Sequence, residues 1–69
     1  MPGPDLDAMA QELAESWING NLSTVVGEIA CLEPLAAAAV ASMVCFQLTA
    51  DRQSPGTFMR MLSDKAAQA

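Results

Sequence analysis

The chain has 69 residues, 52% of them hydrophobic, and a formal net charge of −5 from eight acidic and three basic residues, with no histidine and no tyrosine. That length holds one domain and buries only about 60% of the unfolded surface, so a fold this small is marginal without a disulfide, a metal or a second chain. The acidity excludes a phosphate-binding surface, which needs clustered Lys and Arg, and the missing His and Tyr remove the commonest general acid-base groups.

The first helix is expected over about 5–19, because proline at an opening position and acids in the first turn both favour a helix start. At 100° per residue, Leu6, Met9, Ala10, Leu13 and Trp17 share a stripe, with Asp5, Glu12 and Glu15 across from it and Ala14 on the outer flank. The acidic side reads first as a solvated face. Its sharper reading is a nucleic-acid mimic that occupies a basic groove on another protein. Trp17 reads first as a core anchor, and as a partner-binding residue second, since tryptophan is enriched among binding hot spots.

Asn19-Gly20-Asn21 supplies a glycine where helices exit through left-handed geometry, followed by a capping residue for the next helix. That second helix, about 22–32, carries Val25, Val26, Ile29 and Leu32 at helical spacing. Gly27 and two adjacent β-branched residues lower its intrinsic propensity, so it needs tertiary contacts. Pro34 cannot continue it and biases Glu33 away from helical geometry, which places a turn there.

The third helix, about 34–49, contains the most unusual stretch of the chain, the 14 uncharged residues from Leu35 to Leu48. A helix apolar around its whole circumference belongs in a core or a membrane. Spanning a bilayer takes about 20 apolar residues, and Glu33 and Asp51-Arg52 flank this shorter run, so cover from a second copy of the chain is expected, with membrane association as the alternative. Leu35, Val40, Met43, Val44, Phe46 and Leu48 supply bulk, while Ala38, Ala41, Ser42 and Cys45 form a small face where two helices would approach most closely. Leu35, Val40, Met43, Phe46 and the four small residues, eight in all, are the expected core or oligomer interface. The row carries no Arg, Lys or Asn to read bases, so no nucleic-acid contact is expected.

Ser54-Pro55 has the signature of another helix start, giving a fourth helix over about 55–66 with Phe58, Met61, Leu62 and Ala66 inward. Met59 and Met61 suit an adaptable apolar contact with a partner, or ordinary core filling. Residues 1–4 and 67–69 are expected to fray.

Cys31 and Cys45 are too few for a metal site, and no cofactor motif is present. A bridge between them is opposed by geometry: Cys45 lies eleven residues beyond Pro34, roughly 16 Å along a straight helix, whereas bridged Cα atoms lie within about 7 Å. Both are expected to be small, buried, reduced thiols. The start Met1-Pro-Gly-Pro-Asp5 lacks the basic region and apolar run of a secretory signal, so a cytoplasmic setting is expected. Six acids precede the first basic residue, leaving −6 in the first half and +1 in the second, which reads first as solubility alone and second as a polarity that suits antiparallel or head-to-tail association.

The whole reads as an all-α bundle of three to four short helices, one domain over 1–69, completed by oligomerisation. Its expected role is a non-enzymatic interaction module that forms a homo-oligomer, most simply a dimer, and docks on a larger protein. Small acidic accessory factors of bacteria, plasmids and phages, whether inhibitors or adaptors, act in that way.

Overall fold

The computed structural model describes residues 5–68 and contains four helices, α1 (Leu6–Ile18), α2 (Leu22–Ala30), α3 (Pro34–Ala50) and α4 (Gly56–Ala67), with no strand among the described residues. Their bounds fall within one or two residues of those expected from the sequence. The termini 1–4 and Ala69, part of the ends expected to fray, lie outside the described residues; Ala67 ends α4 and Gln68 caps it.

Local chemistry explains the boundaries. Asp5 caps α1, its carboxylate accepting from the Ala8 amide at 3.2 Å. At the other end Gly20, at φ 96°, donates to the Trp17 carbonyl, and Asn21 donates to Ser16, both at 3.0 Å. This Schellman closure needs the left-handed residue that glycine provides. Asn21 takes the N-cap position of α2 but makes no side-chain cap bond, unlike the cap expected of it. Glu33 is extended, as a residue before proline should be, and Pro34 opens α3. The end of α3 repeats the Schellman pattern: Arg52 donates to Thr49 at 3.0 Å and Gln53 to Leu48 at 2.7 Å. Here the left-handed position holds an arginine, at φ 61°. Ahead of α4, the Ser54 hydroxyl accepts from Gly56 at 3.4 Å, and Pro55 occupies the cap position itself.

The helices pair as α1 with α3 and α2 with α4. The molecule measures 34 × 28 × 16 Å, so its thin direction holds one helix on another and every helix keeps a side toward solvent. The core consists of Ala10, Leu13, Ala14 and Trp17 from α1, Val25, Val26 and Ile29 from α2, Val40, Ala41, Val44 and Leu48 from α3, and Phe58 from α4. The Trp17 and Phe58 rings meet edge to face, with centroids 5.3 Å apart and planes at 84°, the arrangement preferred by aromatic quadrupoles. That contact fastens α4 to α1.

Several residues fall elsewhere than the sequence suggests. Ala14 is buried, because α1 is covered across a wider arc than its bulky stripe, and alanine is small enough to face the neighbouring helix closely. Ala66 is exposed and Met61 and Leu62 are half-buried, because α4 is tethered by Phe58 in its first turn and lies open toward its end. Cys31 is exposed just past the end of α2, and Cys45 is half-buried; both thiols are free.

Two measurements check this account. Ala14→Leu should lower stability by about 1–3 kcal/mol through overpacking, read from the thermal melt by circular dichroism. Gly20→Ala should lose about 1–2 kcal/mol, because a Cβ there meets no atom within 4 Å and the cost is entirely that of left-handed backbone. Gly27→Ala, with equally open space on an ordinary helical backbone, should gain about 1 kcal/mol from helix propensity.

Candidate interaction surface

The eight expected core or interface residues divide by direction. Val40 and Ala41 point into the core, and Met43 and Cys45 are half-buried. Leu35 and Phe46 are turned to solvent, 81% and 73% exposed, and Ala38 and Ser42 are exposed with them. The small face is therefore not the place of closest approach within the chain. Only Ala41 of that set is packed inside, because the buried stripe is Val40, Ala41, Val44 and Leu48, centred away from Ala38 and Ser42 on the wheel.

The outer side of α3 bears Leu35, Ala39, Ser42, Phe46 and Ala50, spaced i, i+4, i+7, i+11 and i+15, which lines them up on one side of a helix. No charge interrupts the stripe. Its hydroxyls are also turned inward on their own helix: Ser42 donates to the Ala38 carbonyl at 3.0 Å, and the adjacent Thr49 donates to Cys45 at 2.9 Å. Each hydroxyl already has its hydrogen-bond partner, so covering this surface would strand no donor. Isolated exposed apolar residues are ordinary, whereas a contiguous apolar strip marks an interaction site.

Flanking the stripe, α2, α3 and the end of α4 enclose an open groove of about 700 Å³, walled by Ile29, Leu32, Ala37, Ala41 and Leu62, with Cys31 and Lys65 also in its lining. Ala38 borders both groove and stripe. Gly27 and the small residues Ala37, Ala38 and Ala41 of α3 are among its lining. Further along the same flank, one turn past Ala41, the Cys45 thiol donates to the Met59 thioether at 3.3 Å, and Met59 is 48% exposed. Desolvation raises the Cys45 pKa above its usual value.

The remaining candidates lie apart from this surface. Trp17, only 8% exposed, is spent on the core and offers a partner little area. Met61 is half-buried and lines a second, smaller depression of about 280 Å³ with Ser23 and Asp64. Asp5, Glu12 and Glu15 are all exposed, with Asp5 engaged as the α1 cap. Among the described residues no three His, Cys, Asp or Glu side chains gather as a metal site would require, and no helix is long and apolar enough to cross a membrane. Sequence reasoning missed Ala39 and Ala50 because alanine carries no directional signal until the helix's orientation is known. No protein-family model, curated protein or solved structure matches the chain.

The two thiols should separate chemically. With iodoacetamide at neutral pH, Cys31 should be alkylated first in the folded protein, while Cys45, half-buried and with less thiolate at a given pH, should lag until the protein is unfolded. Peptide mass spectrometry against time reads the order directly.

Proposed function

We propose that this protein is a non-enzymatic, self-associating helical interaction module whose contact surface is the outer side of α3. The observation that carries the reading is the uncharged strip from Leu35 to Ala50, bearing the large exposed side chains of Leu35 and Phe46 and, at Ser42 and the adjacent Thr49, hydroxyls that are already satisfied. A chain of 69 residues gains most from association by burying the one strip its own helices leave bare.

The groove beside the strip supports a second contact, with a larger protein. Its walls are apolar and its volume of about 700 Å³ falls within the range of pockets that accept a bulky side chain or a turn of helix. The protein would then act as an adaptor or inhibitor that binds and does no chemistry. Membrane association through residues 35–48 is the weaker reading, since the inner half of that helix is occupied by the core. The acidic face of α1 supports mimicry of nucleic acid only by its charge.

Light scattering coupled to size exclusion tests the main reading. The wild type should elute as a dimer in the micromolar range, and Phe46→Glu should shift it to monomer with an unchanged helical spectrum, because Phe46 is turned to solvent and lies outside the buried core. A wild-type monomer at hundreds of micromolar would refute it.

A further inference from the structure

The strip on α3 is self-complementary when read against its own reverse. Placing a two-fold axis between Ser42 and Met43 sets Phe46 of one copy opposite Ala39 of the other, and Leu35 opposite Ala50. Each large exposed side chain thereby meets an alanine. Phe46 enters the space between Leu35, Ala38, Ala39 and Ser42, which are the i, i+3, i+4 and i+7 positions that form the hole for a knob on a facing helix. Ser42 falls at the axis, its hydroxyl bonded to Ala38 within its own helix, so two serines can face each other without an unpaired donor.

Charge is compatible with the same register. The strip itself has none, but Glu33 caps its start and Asp51 and Arg52 follow its end, all three exposed. In this antiparallel register Glu33 of each copy falls opposite Arg52 of the other, with Asp51 beside it, whereas a parallel pair would set Glu33 against Glu33 with no cation at that end. Antiparallel alignment also places the positive start of each α3 beside the negative end of its partner. A specific interface removes about 800 Å² from each partner, a substantial fraction of the 4719 Å² exposed here, so the flanks at Met43 and at Cys45 and Met59 would join the contact.

We infer that two copies of this chain pair through α3 as an antiparallel two-fold dimer, with Phe46 seated over Ala39 of the second copy and Glu33 paired with Arg52. This rests on the self-association proposed above and adds its register and orientation.

Charge reversal tests it. Exposed ion pairs are weak, but two are lost and made repulsive at once, so Glu33→Arg or Arg52→Glu alone should raise the dimer dissociation constant about tenfold at low ionic strength. The double variant E33R/R52E should restore dimerisation to near wild type, and the two single variants mixed should form heterodimers. Analytical ultracentrifugation measures all four, with far-ultraviolet dichroism confirming that each variant is folded. A wild-type dimer whose double variant is no better than the singles overturns the register while leaving self-association standing. A wild type that is monomeric throughout overturns both.

Discussion

The structure is governed by one helix with more apolar surface than its neighbours can cover. The 17 residues of α3 carry no charge, and the helices available to bury them have 13, 9 and 12 residues. Each of those is itself amphipathic and can offer one side only. Covering the inner stripe consumes them, and the result is a slab 16 Å thick with the outer stripe of α3 bare. The hydrophobic effect scales with the area removed from water, so the largest gain still open to the molecule lies on that side.

The rest of the fold arranges itself around this shortage. The aromatic contact between Trp17 and Phe58 is the main tie between α1 and α4, and Phe58 is the only fully buried residue of α4. Beyond it the later residues of α4 form one wall of the groove, with α2 and α3 forming the others. Short turns force the pairing: two Schellman closures and one proline start leave little freedom in how successive helices turn back. One of those closures puts Arg52 in left-handed backbone, a conformation that costs a non-glycine residue about 1–2 kcal/mol, at the position where the proposed dimer would use its charge.

Polar groups are managed so that the apolar side of the molecule stays dry. Among the described residues every buried side chain is hydrophobic, the two hydroxyls on or beside the α3 strip bond to their own helix, and the acids of α1 are exposed to solvent. Recognition would then depend on shape along the strip and on charge only at its ends. That division fits the usual roles of the two forces, with apolar burial supplying affinity and charge setting orientation and register.

Amino-acid order alone determined where the helices begin and end, because proline, glycine and Asp5 act through local backbone chemistry that needs no partner. It also determined that α3 carries no charge on any side. The amphipathic α1 and α2 revealed most of their buried residues for the same reason: a polar side marks the apolar one. What only the tertiary structure decided is which side of α3 faces inward. A helix without a polar face gives no direction to its burial, so Leu35 and Phe46 read as core or interface without distinction, and Ala39 and Ala50 read as nothing at all. Ala14 was misplaced on the same ground, since alanine tolerates either environment and only the approach of a neighbouring helix settles which one it has.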